Sequence, residues 1–370
     1  METTLPQAKR AKLVWRIVRR SLLVLFTLVI LLVAGLYMVC NQIFNGPSES
    51  ARNVLTMSLL EASATKWVPA LFIGTDAVQD IQSSVDSTLP ADVSDSSQIV
   101  IQSGIADKEN ASEWKDYPDG IRIESIKGDT YTAHVMIVRD PSSVFVATSL
   151  YPGQSFSKDI PGKPINLTMM ELNTIAAING GAFYDNGTSS PEVGNIPQGL
   201  VVSEGKVVWN DGSSYNGFVG ITQDNILVVA NKMTAAKAQE LNVRDGCCFG
   251  PVLLMDGVIN ESAYNQNSGY NPRTAIGQRA DGAIIFICID GRQLGSLGGT
   301  YRDIINIMVE YGAVNACNLD GGSSSVMFYR DKYGRYGAEG NLVMINSYSL
   351  LQETPRKMPT YFMVRGASEE

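Results

Sequence analysis

Read for its apolar and polar positions, the chain falls into three zones. The first is Ser21 to Val39, SLLVLFTLVILLVAGLYMV, which is uncharged and almost continuously apolar. At a rise of 1.5 Å per residue such a run covers most of the roughly 30 Å hydrocarbon core of a bilayer, so it predicts a single membrane-spanning helix. In the second zone, Ala51 to Phe72, apolar residues at Val54, Leu55, Leu59, Ala62, Val68 and Leu71 recur at helical spacing, with a break expected near Pro69. Ser, Asp and Pro then dominate Gln82 to Ser97, a stretch with too few large apolar groups to order itself, which reads as a linker.

The third zone begins near Asp116-Tyr117-Pro118-Asp119-Gly120 and is a succession of short β-like runs. They fall at Ile121–Ile126, Tyr131–Val138, Val144–Thr148, Gly199–Val202, Lys206–Trp209, Ile226–Val229, Val252–Met255, Arg273–Ile276, Ala283–Ile289 and Tyr361–Val364, between Gly- and Asp/Pro-containing turns. The clearest helix is Thr300 to Tyr311. Thr300 with Asp303 makes a capping-box-like start, Ile304, Ile307, Met308 and Tyr311 share one face, and Gly312 supplies the stop. Strand, helix and strand (Ala283–Ile289, the helix, Ala313–Leu319) form a βαβ-like unit that would bring Asp290 and Asp320 to one edge of a sheet. The expected fold is therefore α/β, or α+β: a mixed β-sheet domain with flanking helices, preceded by one transmembrane helix. The division is residues 1–20 as a basic tail, 21–39 as anchor, 40–115 as membrane-proximal helix and Ser/Asp-rich linker, and 116–366 as the globular domain.

Charge sets the orientation. Lys9, Arg10, Lys12, Arg16, Arg19 and Arg20 precede the apolar run, and the positive-inside rule keeps them in the cytoplasm and places the chain after Cys40 outside. A cleaved signal peptide is the rival reading; the run is long for one, and no small-x-small pair precedes Asn41. The expectation is a single-pass cell-membrane protein with its domain extracytoplasmic and the lipid bilayer as partner through 21–39. The formal charge of -8 includes the basic tail, so the exported part is more acidic still, and nucleic acid is excluded as a partner. Of the five cysteines, Cys247 and Cys248 are neighbours, while Cys288 and Cys317 lie inside apolar runs. They read as buried thiols, with a Cys288–Cys317 bridge left open. His134 is the sole histidine and sits in a strand-like run, so it reads as a strand-face residue; Ser-His-Asp chemistry and multi-histidine metal sites are not expected.

Chemistry must then run on carboxylates, arginine, amides and hydroxyls, and these gather in four clusters. They are Asn179-Gly180-Gly181; Asn271-Pro272-Arg273-Thr274; Asp290-Gly291-Arg292; and Asn318-Leu319-Asp320-Gly321-Gly322-Ser323. Each alone reads equally as a turn. Together, arginine forks and backbone N–H groups exposed after glycine suit a phosphate, and two carboxylates suit attack at an anomeric carbon. The sum is a sugar-phosphate site.

The ordered set INGGAFY, PQGLVVSEGKVV, PRTAIG, DGAIIFICIDGR and ACNLDGGSSS resembles the phosphodiester glycosidase family over Asp119 to Arg365. The resemblance implies an α/β domain that hydrolyses the bond between a sugar C1 and a phosphodiester. It assigns Asp320, Asp290, Arg273 and Asp303 as catalytic candidates. Asn179, Gly180, Gly181, Thr274, Gly291, Arg292, Gly321, Gly322 and Ser323 follow as substrate-binding candidates. Asp303 stands where a glutamate is expected in the first helical turn, which suits a capping role better than a catalytic one. A phosphodiester leaving group is a weak base, so a guanidinium can stand in for the general acid of an ordinary glycosidase. No cofactor is expected. The substrate would be a sugar-1-phosphodiester, as in cell-envelope polysaccharide. Two alternatives remain: a non-catalytic glycan-binding or exopolysaccharide assembly protein, and a phosphodiesterase holding a divalent cation at Asp290 and Asp320.

Overall fold

The protein is described by a computed structural model covering residues 7–60, 65–83, 89, 91–101, 113–184, 193–213, 216–266, 268–293, 295–347 and 354–366. It opens with three helices, α1 (Gln7–Phe44), α2 (Glu49–Leu60) and α3 (Val68–Ser83). Within α1, Trp15–Phe44 contains an 18-residue window of mean hydropathy 2.9 and is long and apolar enough to cross a membrane. The helical run is interrupted just ahead of Pro69, as expected: 65–67 is a turn and α3 starts at Val68, which puts Pro69 in a first turn, where its missing N–H costs nothing.

The domain continues with β1 (Ile121–Lys127), β2 (Thr132–Val138), β3 (Val144–Thr148), α4 (Ile165–Glu171), β4 (Thr174–Asn179), β5 (Phe183–Tyr184) and β6 (Ile196–Pro197). Then come β7 (Leu200–Ser203), β8 (Lys206–Asn210), β9 (Phe218–Thr222), β10 (Leu227–Ala230), α5 (Ala235–Glu240) and β11 (Val243–Cys248). Next are β12 (Val252–Met255), β13 (Val258–Ile259), α6 (Glu261–Asn265), β14 (Arg273–Arg279), β15 (Ile284–Ile289) and α7 (Tyr301–Glu310). The last are β16 (Ala313–Leu319), β17 (Met327–Arg330), β18 (Leu342–Met344) and β19 (Thr360–Arg365).

Three large sheets organise these strands, in the orders β1-β2-β15-β14-β16-β12-β13, β10-β9-β11-β7-β8 and β18-β17-β4-β19-β3, while β5 pairs with β6. All three turn one face to a shared core containing Met136 and Phe286 from the first, Val219 and Val229 from the second, and Ile178 and Phe362 from the third. The opposite face of each carries a helix: α7 on the first sheet, α5 on the second and α4 on the third. Burial on both sides explains why β2 and β15 are apolar almost throughout, and it encloses β14 even though that strand carries Arg273, Thr274 and Gln278.

The α+β class is as the sequence implies, with one difference in detail. β14 lies between β15 and β16 and runs antiparallel to both, so the βαβ unit is split and the described pairings are antiparallel. β15 and β16 are thereby parallel to each other, which puts Asp290 and Asp320 at one end of the sheet together with Arg273, at the start of β14. α7 has its capping box, with Thr300 Oγ1 accepting from Asp303 N and Asp303 Oδ2 from Thr300 N, and Gly312 follows at φ 78.

The expected linker is in part docked. Residues 84–88 and 90 lie outside the described residues, but Val93 bridges Ala230, and Ser94 exchanges hydrogen bonds with Val229 through its N–H and its hydroxyl. Ile99 is buried beyond it. An edge strand with unpaired main-chain groups captures a segment that carries little apolar surface of its own.

Candidate functional site at the meeting of four turns

The four polar clusters converge at Pro272. Its carbonyl accepts from Gly322 N at 2.9 Å, and a Cβ on Gly321 would lie 2.9 Å from that carbonyl oxygen. A Cβ on Gly291 would sit 1.9 Å from Pro272 Cγ. Glycine at 291 and 321 is therefore what lets the second, third and fourth clusters touch.

The first cluster is tied in by its amide. Asn179 Nδ2 donates to Asp320 O at 2.7 Å and to Thr274 Oγ1 at 3.0 Å, while Asn179 Oδ1 accepts from Val326 N at 3.2 Å. Thr274 Oγ1 donates to Asp320 O at 2.7 Å, and Asp320 N donates to Gly180 O at 3.2 Å. Asn179 and Thr274 are fully buried. Their partners are main chain, so they act as braces that fix the path of the Asp320 loop. Gly180 and Gly181 lie against Thr360 and Cys248 at distances no Cβ would allow: it would come 2.6 Å from Thr360 Oγ1 and 2.6 Å from Cys248 O, respectively.

Asp290 is built into the fold differently. It is 3% exposed. Its Oδ1 takes hydrogen bonds from His134 Nε2 at 3.1 Å and Ser347 N at 2.9 Å, and Oδ2 takes one from Gln293 Nε2 at 3.2 Å. His134 Nδ1 lies 3.0 Å from Ser125 Oγ, so a neutral imidazole that donates to Asp290 accepts from Ser125. The sole histidine is thus on a strand as expected, yet it belongs to a Ser125–His134–Asp290 hydrogen-bonded line that its apolar flanks gave no reason to anticipate. The neighbouring Asn346 ties back to the fourth cluster by donating to Ser325 O at 3.2 Å.

The arginines divide by what they touch. Arg273, 1% exposed, donates Nε to Gly299 O at 2.8 Å and Nη2 to Ser268 O at 2.6 Å and Gly269 O at 3.3 Å, and stacks on Tyr301. Those contacts hold the 268–269 and 299 segments together. Arg292 is exposed and donates to Asn271 Oδ1 at 2.7 Å and to Ser58 O of α2 at 2.6 Å. Arg356 was not singled out from the sequence. It donates from Nη1 to Ser323 Oγ at 3.0 Å and packs over the Phe183 ring, which places a guanidinium at the mouth of the Asp320 loop. Its segment, ETPRKMP, leads into the apolar run Tyr361–Val364 but has no apolar periodicity of its own, so periodicity offered no signal. Asp303 faces its own helix start, with Oδ2 accepting from Thr300 N at 2.7 Å and Thr300 Oγ1 at 2.6 Å.

Of the remaining chemistry, Cys247, Cys248, Cys288 and Cys317 are buried, and Cys288 and Cys317 are not bridged to each other. Burial pushes the thiols of Cys247, Cys288 and Cys317 well up, so they pack as neutral groups. Among the described residues no group of three or more His, Cys, Asp or Glu side chains is arranged to hold a metal ion.

The α+β class is what the family resemblance implied, and the Asn-Gly-Gly, Pro-Arg-Thr, Asp-Gly-Arg and Asp-Gly-Gly turns that carried the resemblance lie together in it. The phosphodiester glycosidase family model matches residues 172–365, more than half of the chain, and the chain belongs to that family. Among solved structures, the fold is similar to the catalytic domain of zebrafish N-acetylglucosamine-1-phosphodiester alpha-N-acetylglucosaminidase, auto-inhibited by its pro-peptide, with a TM-score of 0.52 and 24% identity, covering 67% of this chain and 82% of that one. A putative exported protein of Burkholderia pseudomallei matches with a TM-score of 0.41 and 16% identity, covering 64% of this chain and 74% of that one. The SPbeta prophage-derived uncharacterized protein YomE of Bacillus subtilis (strain 168) is 31% identical over 168 residues, 43% of this chain and 25% of that protein. The chain thus spans about a quarter of that relative's length.

Proposed function

We propose that the protein is a membrane-tethered hydrolase of the glycosidic bond between a sugar C1 and a phosphodiester, acting outside the cytoplasm on cell-envelope glycans. The observation that carries this reading is the convergence at Pro272, which leaves Asp320 on a part-exposed loop braced from behind by Asn179 and Thr274. The zebrafish enzyme's name describes cleavage at a sugar-1-phosphodiester, and the shared family supports the same bond here.

In this mechanism the Asp320 carboxylate stabilises positive charge developing at C1. Water adds to C1 as the C1–O bond breaks. The electron pair leaves with the phosphate, which departs as a monoester while the water proton passes to solvent. Arg356, beside Ser323, neutralises the leaving phosphate. Arg273, Asp290 and Asp303 are reassigned to positioning: the first holds two segments of main chain, the second is held by three donors, and the third caps α7. The basic residues from Lys9 to Arg20, in α1 ahead of its apolar run, support a domain outside the cytoplasm.

Incubating the purified full chain with a panel of sugar-1-phosphodiester reporters tests this reading. Release of free sugar together with a phosphate monoester is expected. Binding to the same compounds with no release would mark a glycan-binding protein instead, and turnover lost only on chelation would favour a cation at the carboxylates.

A further inference from the structure

The three N-terminal helices make a base whose exposed surface is sorted along α3. Phe72 stacks on Phe44, with centroids 4.9 Å apart at 14°, and lies 5.4 Å from the Tyr37 ring. Phe44 is fully buried by this packing. Tyr37 belongs to the apolar run and is two residues, or about 3 Å, from its end at Val39. The first turn of α3 is therefore held at the level where α1 leaves the apolar run. At that level Trp67 is 60% exposed and Leu71 is 70% exposed, and exposed Lys66 precedes them.

Gly74, at φ 80 and ψ 163, interrupts α3 directly afterwards. The exposed residues beyond it, Thr75 and Asp76, are polar. Apolar exposure thus stops at the backbone break. Trp favours the headgroup level of a bilayer, where its ring is half in lipid, and a neighbouring Lys keeps its ammonium in water or against anionic headgroups.

We propose that Trp67 and Leu71 enter the lipid interface beside α1, as a second membrane contact on the side of the catalytic domain. The proposal rests on α1 being a membrane anchor. Its occupant is lipid because the patch is continuous with the bilayer-spanning helix through Phe72. The consequence reaches the candidate site: Ser58 of α2 accepts from Arg292 Nη2 through its carbonyl at 2.6 Å and from Tyr270 N through its hydroxyl at 3.2 Å. Ser58 lies nine residues into α2, no more than about 14 Å from the start of that helix. A base pinned at two points on the bilayer therefore holds the Asn271–Arg292 rim at a fixed height above the headgroups.

The test uses the full chain in nanodiscs containing anionic lipid, with bromines placed high or deep on the acyl chains. The emission of Trp67 is isolated as the difference between wild type and Trp67→Phe. It is expected to be blue-shifted and quenched about two-fold by the high bromines, and less by the deep ones. Emission typical of water and indifferent to bromine would overturn the proposal, as would shielding from both bromine and a soluble quencher, which would mean that protein covers the patch. Resistance to carbonate extraction, measured in parallel, reports on α1 alone. Loss of that resistance would overturn the anchor and the proposal together, whereas its retention with unquenched Trp67 overturns only the proposal.

Discussion

Asp290-Gly291 and Asp320-Gly321 look alike: each aspartate follows a buried strand, each precedes a glycine, and both stand at the same end of the seven-stranded sheet. Their surroundings differ. At Asp290 both carboxylate oxygens are occupied, by His134, Ser347 and Gln293, the N–H goes to Thr132 and the carbonyl takes Ser296, with almost no exposure. At Asp320 the carbonyl takes Asn179 and Thr274, the N–H goes to Gly180, and the loop stays part-exposed. A buried carboxylate met by three donors orders its neighbours; one on a part-exposed loop whose main chain is braced can be aimed at a substrate. An identical dipeptide stands in both places, so the difference lies in burial and in what surrounds each.

The largest expected effect separates the two in one assay. Asp320→Asn should lower kcat by roughly 10²–10³, as when one preorganised electrostatic partner is removed, with little change in Tm. Asp290→Asn should instead lower Tm and keep kcat per folded molecule within about ten-fold of wild type. Equal kcat losses in both variants would erase the distinction.

Asp290→Ala strands the His134, Ser347 and Gln293 donors, and a cost of about 3 kcal/mol in unfolding free energy is expected. Denaturant titration reads it directly, and a loss below about 1 kcal/mol would show that the three bonds contribute little.

A smaller change is expected at Arg356→Lys, which keeps the charge and loses the fork. A drop of about ten-fold in kcat/KM, spread over both constants, is expected. Unchanged kinetics would remove Arg356 from the phosphate side of the site.

Asp331 provides a reference for a wholly structural carboxylate. It accepts from the N–H groups of Tyr336 at 2.6 Å, Gly337 at 2.7 Å and Arg335 at 2.9 Å. Burial alone would raise its carboxyl, but these N–H groups, with that of Tyr333, outweigh it and hold the group below the usual carboxylate range. A lowered folded value contributes stability that is present above the unfolded value of about 4 and is lost as pH falls through the folded one. Wild type should therefore lose more Tm than Asp331→Asn between about pH 5 and about pH 2. Parallel losses in the two proteins would contradict that assignment.

β1, β2, β15 and β16 of the seven-stranded sheet were legible because they are long, largely apolar and bounded by Gly or Asp, whereas two-residue β13 was not, and α7 was legible because its cap, apolar face and Gly312 stop agree. Short strands such as β9 and β11 were not, since Phe218–Thr222 contains Gly220 and Val243–Cys248 carries Arg244, Asp245 and Gly246 within a fully paired sheet. For the site, glycine-rich junctions identified the clusters, but local sequence cannot say whether an aspartate ends buried among donors or on a part-exposed loop. That depends on residues such as His134, 156 positions from Asp290 in the chain. Arg356 and the docked Val93–Ser94 segment escaped for the same reason, because their partners are distant in sequence.

The central claim is that the bond broken lies between the sugar and the phosphate oxygen. Hydrolysis of a sugar-1-phosphodiester in ¹⁸O-labelled water tests it most directly, since the label marks the atom that water attacks. The account predicts ¹⁸O at C1 of the released sugar and none in the phosphate monoester. Label in the phosphate would show attack at phosphorus and contradict the assignment of Asp320 to a charge at C1.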